Sequence, residues 1–210
     1  MRTLPDLSFY SWEVARDKSA SKSADKKELR GRFRFRRSQR SLGGDWLHLL
    51  NATEMKNAKV IASYLSYGDE PETTRINEAI VASGRQLILP RTDENGIITW
   101  IIWREDSRVE PAGRRGQKRS KHSQPIGERF VGEIDAVILP ALQVDRSGVR
   151  LGQGGGSYDK VLKEPGALTA WKVALLHDEE LTSDPLPRED HDVLVDAVAL
   201  PEIVVRFKRS

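Results

Sequence analysis

The chain has 210 residues, of which 38% are hydrophobic and 31% are charged, and its formal net charge is +3. This composition is typical of a globular protein with one large domain or two small ones. The absence of cysteine excludes disulfides, zinc thiolate sites and thiol catalysis. No apolar run is long enough to span a bilayer or to form a signal peptide, so we expect a cytoplasmic protein with no membrane partner.

The charges are distributed unevenly along the chain. Residues 16–40 contain eleven Lys or Arg against three Asp or Glu, whereas residues 171–205 contain two against nine. Two interpretations fit this pattern. The two segments are solvated or attract each other, or they contribute an anion site near the N-terminus and a metal site near the C-terminus.

Two helices are predicted near the N-terminus, behind a polar segment. Residues 1–23 are expected to form a flexible extension. A basic helix is predicted from Asp25 onward, and Gly43-Gly44 interrupts its pattern. A second, amphipathic helix is predicted through Met55, with Asp45 as its N-cap.

Short apolar runs further along the chain predict strands at residues 60–65, 86–89, 97–103, 136–139, 173–176, 195–200 and 203–205. A helix is predicted over residues 73–83. Residues 104–124 lack periodicity, contain seven Lys or Arg, and are predicted to form a long, mobile, basic loop. Because strands alternate with helices and most strands are apolar throughout, we predict an α/β fold. It has a single domain, residues 24–205, with a mostly parallel or mixed sheet flanked by helices on both faces.

The most informative stretch is residues 150–160, Arg-Leu-Gly-Gln-Gly-Gly-Gly-Ser-Tyr-Asp-Lys. Glycines let backbone N–H groups approach a phosphate closely, Arg150 and Lys160 add positive charge, and Asp159 offers a carboxylate for Mg²⁺. The stretch lacks the Lys-Ser/Thr of a Walker A loop and the third glycine of the dinucleotide-binding motif. The residues alone leave two alternatives, a tight surface turn and a phosphate-binding loop.

The arrangement within this loop resembles the signature of the 5-formyltetrahydrofolate cyclo-ligases, also called 5,10-methenyltetrahydrofolate synthetases. Weaker resemblances to the same family follow in order from about Lys26 to Leu200. They comprise residues 26–30 with 36–37, 64–66 with 69–73, 139–142 with 145, and 186–187 with 191–192 and 195–196. The family loop often has Gly-Tyr-Tyr-Asp where this chain has Gly156-Ser157-Tyr158-Asp159.

The resemblance implies an enzyme, a ligase that forms C–N bonds. Family members cyclise 5-formyltetrahydrofolate to 5,10-methenyltetrahydrofolate and consume ATP, the co-substrate, together with Mg²⁺. The formyl oxygen attacks the γ-phosphate to give an iminium phosphate, N10 attacks the formyl carbon, and ADP and phosphate are released. This chemistry depends on positioning and charge neutralisation rather than on a protein nucleophile, so no catalytic side chain is assigned.

The resemblance also implies a role for individual residues. ATP contacts are expected from Lys26, Arg30, Arg150, Gly152, Gln153, Gly154, Gly155, Gly156, Ser157 and Tyr158. Substrate contacts are expected from Leu65, Glu70 and Ser157, and metal ligation from Asp159 and Asp196. The four histidines show no ligand spacing and are expected at the surface or in packing.

Two alternatives from other functional classes remain at this point. The first is a nucleic-acid-binding module that uses the basic N-terminal helix and loop 104–124. The second is a non-catalytic relative that retains nucleotide or folate binding. We expect the small-molecule substrate 5-formyltetrahydrofolate rather than nucleic acid as the partner, and a monomer.

Overall fold

The structure is a computed structural model that describes residues 25–39, 43–92, 98–104, 108–111, 123–126 and 128–208. The predicted extension at residues 1–23 and most of the predicted basic loop lie outside these described residues. Among them, no helix combines the length and the apolar character that crossing a membrane requires.

The secondary structure alternates helices and strands, as predicted. The helices are residues 25–38 (α1), a 3₁₀ helix at Leu47–Asn51, Thr53–Asn57 (α2), Thr74–Ala82 (α3), Ser157–Val161 (α4) and Pro165–Leu168 (α5). The strands are Val60–Ala62 (β1), Gln86–Thr92 (β2), Ile98–Ile102 (β3), Arg108–Pro111 (β4), Ser123–Ile126 (β5), Ala136–Pro140 (β6), Gln143–Asp145 (β7), Arg150–Leu151 (β8), Trp171–Leu175 (β9), Leu181–Thr182 (β10), Ala197–Ala199 (β11) and Val204–Arg206 (β12).

A seven-stranded mixed sheet forms the centre of the fold, in the order β12-β11-β9-β6-β1-β2-β3. The five inner strands are mutually parallel, and the two edge strands, β3 and β12, pair antiparallel to their neighbours. This arrangement confirms the predicted α/β fold with a mostly parallel sheet.

Successive residues of the inner strands face two separate hydrophobic cores. In β6, Ala136 and Ile138 pack on the side of the 3₁₀ helix, α2 and α3, whereas Val137 and Leu139 pack on the side of α4 and α5. All five residues of β6 are buried. A strand that is covered on both faces gains hydrophobic stabilisation from every side chain, which explains why these segments are apolar without alternation.

Two predictions of local structure were wrong. The predicted second helix is divided at Ala52 into a 3₁₀ helix and α2, although Asp45 Oδ1 accepts the N–H of Leu47 at 2.7 Å near its start. Part of the predicted loop 104–124 is the antiparallel pair β4–β5, in which Val109 lies opposite Pro125. These polar, proline-containing strands lack the alternation that identifies a strand from sequence.

Helix α1 packs on a small three-stranded sheet, β10-β7-β8, whose strand β8 leads into the glycine-rich loop. Phe33 of α1 is buried with Leu142, Val149 and Leu151, and Leu29 packs against the same cluster. Because Leu151 ends β8, this contact fixes the basic helix beside the start of the loop.

Candidate active site

The strand order of the main sheet creates a crevice at its carboxyl edge. Strands β1 and β6 are parallel neighbours, but the chain continues from β1 to β2 on one side and from β6 to β9 on the other. Ligands of open α/β sheets bind at such a switch in direction. Tyr64 and Leu65, which follow β1, and Pro140, which ends β6, line a cleft of about 510 Å³ at this point.

The glycine-rich loop, residues 152–156, forms one wall of this cleft between β8 and α4. Gly154 has φ +104° and Gly156 has φ +63°, backbone conformations that favour glycine. A Cβ atom at Gly154 would also lie 3.3 Å from the Arg30 side chain. Residues 154–156 line the cleft and are exposed.

Helix α1 places a row of cations along the loop. Lys26, Arg30 and Arg34 are four residues apart and therefore share one helix face. Arg30 Nε donates to the carbonyl of Gly152 at 3.1 Å, and Arg34 Nε donates to Gln153 Oε1 at 2.9 Å. These bonds hold the loop against the helix and concentrate positive charge at its end of the cleft.

Arg150 is buried beneath the loop, and two of its three guanidinium nitrogens donate hydrogen bonds to described residues. Its Nη1 donates to the carbonyl of Pro140 at 3.2 Å, and its Nη2 donates to Asp159 Oδ1 at 3.0 Å. The guanidinium also lies 5.8 Å from the centre of the Tyr158 ring. The buried Nε has no hydrogen-bond partner among the described residues, which suits a site for an additional acceptor.

We call the end of the cleft that is lined by Lys26, Arg30, Arg150 and residues 152–156 the cationic half. A cluster of ionisable groups lies beside Lys26 in this half. Lys26 Nζ, which is buried, donates to Glu189 Oε2 at 2.7 Å and to Asp192 Oδ2 at 2.6 Å. His191 Nε2 lies 3.6 Å from Glu189 Oε2. Burial raises the pKa of Asp192, but the Glu189 N–H and the Lys26 ammonium more than offset this effect and hold that pKa below its ordinary value.

The structure does not bring Asp196 to this cleft. Asp196 precedes β11 and accepts the N–H of Lys172 at 2.8 Å, near the start of β9. It therefore lies at the amino edge of the sheet, whereas the cleft lies at the carboxyl edge. The acidic side chains that line the cationic half with Asp159 are instead Glu189 and Asp192, from the loop before β11.

The opposite half of the cleft is lined by the segment that follows β1. The buried Glu70 carboxylate accepts the N–H of Tyr67 at 3.3 Å on Oε2 and the Gln153 Nε2 amide at 3.4 Å on Oε1. Burial raises the pKa of Glu70 to about 7. Burial also raises the pKa of Tyr158, which keeps its hydroxyl protonated. This half therefore offers a carboxyl group near its titration point beside apolar and aromatic surface.

Apart from Asp196, every predicted contact residue whose side chain is described lines the cleft. The Ser157 side chain lies outside the described residues, so its predicted contacts stay a prediction. Sequence reasoning missed Glu189 and Asp192 as cleft residues, and it gave His191 no role. The acidic excess in residues 171–205 pointed to this region without identifying these side chains.

The same geometry bears on the alternative of a nucleic-acid-binding surface. Lys26 and Arg30 line the cleft, and Arg37 is buried against Glu180, with its Nη2 2.7 Å from the carboxylate. Lys26 and Arg37 of α1 are thus buried inside the protein, whereas Lys27, Arg32, Arg34 and Arg36 are exposed.

Comparison with known proteins identifies the family. The family model of the 5-formyltetrahydrofolate cyclo-ligases matches residues 18–201. The chain is 32% identical to a 5-formyltetrahydrofolate cyclo-ligase of Mycolicibacterium smegmatis, over 70% of this chain and 75% of that protein. It is 28% identical to the one of Escherichia coli K12, over 70% and 80%.

A solved structure agrees with this assignment. The NMR structure of 5,10-methenyltetrahydrofolate synthetase from Aquifex aeolicus superimposes with a TM-score of 0.71 at 26% identity, and covers 88% of this chain and 94% of that one. This chain therefore has the same fold as that synthetase, and in this chain the fold places the glycine-rich signature at the cleft. The chain belongs to the 5-formyltetrahydrofolate cyclo-ligase family.

Proposed function

We propose that this chain cyclises 5-formyltetrahydrofolate to 5,10-methenyltetrahydrofolate with ATP and Mg²⁺, and releases ADP and phosphate. The observation that carries the proposal is the division of one cleft into two chemically distinct halves. A cationic, glycine-lined half adjoins a half lined by Tyr64, Leu65 and Glu70. Such a cleft brings a polyanion and a flat heterocycle into contact, as a transfer between ATP and a folate requires.

The residues of the cationic half fit a triphosphate. Residues 154–156 offer an exposed backbone, Arg30 lies beside Gly154, and the buried Nε of Arg150 has no hydrogen-bond partner among the described residues. Guanidinium groups match phosphate oxygens in geometry as well as in charge. We assign these residues to the phosphates and Lys26 to the same end of the nucleotide.

The carboxylates of this half fit Mg²⁺, which prefers hard oxygen ligands and one or two carboxylates beside substrate phosphates. Asp159, Glu189 and Asp192 all line the cleft. We therefore keep Asp159 as a metal-side residue and replace the predicted Asp196 with Asp192. When bound, ATP and Mg²⁺ supply the phosphoryl group that activates the formyl oxygen and the charge that neutralises the departing phosphate.

The chain itself contributes position and electrostatics rather than a nucleophile. Arg150 is buried and tied to Asp159 and to the carbonyl of Pro140, so its guanidinium is oriented before a ligand arrives. Fixed charges in a site that excludes water stabilise developing charge without reorganisation. Arg150 is therefore the residue expected to stabilise negative charge on the phosphoryl oxygens during transfer.

Glu70 is the residue expected to orient the folate. Its carboxyl group lies in the apolar half and titrates at about pH 7. When ionised, it accepts hydrogen bonds from the N–H groups of the pterin ring, and Leu65 packs nearby in the same half. Gln153 Nε2 donates to one Glu70 oxygen and so links the folate half to the glycine-rich loop.

The test is a turnover assay. The purified protein is incubated with 5-formyltetrahydrofolate and Mg·ATP, and the near-ultraviolet absorbance of the methenyl product is followed together with ADP release. We expect both products to form in equal amounts. Asp159→Ala should remove turnover while the circular dichroism spectrum stays unchanged. A folded protein that binds both ligands without turnover would instead be a non-catalytic relative, and the proposal would be wrong.

A further inference from the structure

The turn that follows β9 contains buried ionisable groups that the proposed reaction does not use. His177 and Glu180 are 6% and 5% exposed, and Arg37 of α1, which contacts this turn, is 3% exposed. Between them, Glu179 has φ +65°, a left-handed conformation that is uncommon for residues other than glycine. Strained backbone beside buried charge is a reason to look for a role of this turn in the neighbouring cleft.

The turn is tied firmly to helix α1. Arg37 Nε and Nη2 donate to the two carboxylate oxygens of Glu180 at 2.8 and 2.7 Å, and Nη2 also donates to the carbonyl of Ala141 at 2.7 Å. Glu180 Oε2 accepts the backbone N–H of His177 at 2.9 Å as well. A bidentate ion pair of this kind has a fixed geometry, so it sets the position of the His177 backbone.

From this position the His177 ring contacts the loop that carries Glu70. Its Nε2 lies 3.0 Å from the carbonyl oxygen of Asp69, the residue before Glu70. A carbonyl only accepts, so Nε2 carries the proton in this contact. The other side of the ring packs edge-on against Trp46, with ring centres 5.5 Å apart. The ring is thus held by packing and aimed at one backbone oxygen.

The loop that carries Glu70, residues 66–73, is held in different ways at its base and at its tip. At the base, Ser66 and Thr73 exchange hydrogen bonds between their side chains and backbone N–H groups, at 3.0 and 3.1 Å. At the tip, Gly68 has φ +58°, and the His177 ring reaches the Asp69 carbonyl from a distant part of the chain. The bond from His177 therefore acts at the point of the loop nearest to Glu70.

We propose that His177 is a positioning residue for the folate half of the cleft, which holds the Asp69–Glu70 backbone in place through its Nε2–H. The Arg37–Glu180 pair fixes His177 and joins it to the helix that carries the cations of the nucleotide half. This inference rests on the proposed function, because it assigns His177 to the substrate that Glu70 orients.

The test compares two substitutions of the same histidine. His177→Phe keeps a ring against Trp46 but removes the donor. His177→Gln keeps a donor, because the amide nitrogen of Gln is the same number of bonds from Cα as Nε2. We expect His177→Phe to raise KM for 5-formyltetrahydrofolate about five- to tenfold, the effect of one lost hydrogen bond, with KM for Mg·ATP unchanged. His177→Gln should restore most of the lost affinity.

A second measurement needs no substrate. Hydrogen exchange of the amides at residues 67–70 should be faster in His177→Phe than in the wild type and in His177→Gln, with α1 unaffected. His48→Leu is the matched control, since His48 is a half-buried histidine of the 3₁₀ helix, outside the cleft lining, and should change neither reading.

Two results would overturn the inference. One is a His177→Phe protein with wild-type KM values and wild-type exchange at residues 67–70. The other is a loss that affects both substrates equally and that His177→Gln fails to rescue, which indicates a general structural role. If the wild type lacks turnover, the proposed function is wrong, and the exchange measurement still decides whether His177 holds the loop.

Discussion

Replacing Glu70 by Gln should make the protein more stable above neutral pH while it impairs folate binding. Burial raises the pKa of Glu70 from an unfolded value of 4.5 to about 7. The folded state therefore holds this proton more tightly than the unfolded state, and stability falls as the pH rises from about 4.5 to 7. A pKa change of this size corresponds to about 3 kcal/mol at higher pH. Glutamine is uncharged at every pH and avoids this cost.

The assay is urea unfolding of both proteins at pH 4 and pH 8. At pH 4 the wild-type carboxyl is mostly neutral in both states, so the two proteins should differ little. At pH 8 Glu70→Gln should be more stable by about 2–3 kcal/mol, or roughly 5–10 °C in Tm. KM for 5-formyltetrahydrofolate should rise because the ionised acceptor is lost. Equal stability at pH 8, or a difference that is independent of pH, would refute the argument that Glu70 is held at an energetic cost.

Three further substitutions, with Asp196→Asn as a control, test the cationic half of the cleft. Lys26→Met leaves two half-buried carboxylates without their cation and should cost about 2 kcal/mol in urea unfolding; wild-type stability would contradict this. Asp159→Asn should raise KM for Mg·ATP about tenfold or more. Asp196→Asn, at the other edge of the sheet, should leave KM for Mg·ATP unchanged. Equal effects of the two substitutions would mean that Asp196 also contributes to the site. Gly154→Ala places a side chain at a left-handed position beside Arg30 and should lower the free energy of unfolding by about 1–2 kcal/mol. It should also weaken Mg·ATP binding, which calorimetry would show. Unaltered binding would mean that the loop tolerates a side chain.

The central sheet could be predicted because its strands are buried on both faces. In Ala136–Pro140 each residue is apolar for its own packing reason, so a short run of sequence carries the signal. The strands β7 and β8 form a hairpin across residues 146–149 but have only three and two residues, too few to show a period. The strands β4 and β10 have four and two residues and pair with β5 and β7, which lie more than ten positions away. Their pairing is a tertiary property, and no local pattern of residues records it.

The candidate site also has one part that is visible in the sequence and another part that only the fold brings together. Residues 150–156, 158 and 159 lie together in the sequence and line one wall of the cleft, so the motif was visible before the fold. Asp192 joins the cleft only because the loop before β11 meets the first turn of α1, and Lys26 supplies its counter-charge. Asp196, four residues later, is equally acidic, and only the direction of β11 shows that it lies at the opposite edge of the sheet.

The contact between Lys26 and Asp192 joins groups that are 166 positions apart in the chain. Contacts of such long separation close late in folding, because the entropy of the intervening chain has to be lost first. During synthesis the basic helix emerges early and has to wait for almost the whole domain before its buried lysine meets these carboxylates. If Mg·ATP binds the completed cleft as proposed, it favours the finished fold by mass action over every partly folded form. The cellular supply of this ligand would thus affect how much of the newly made chain reaches its folded state.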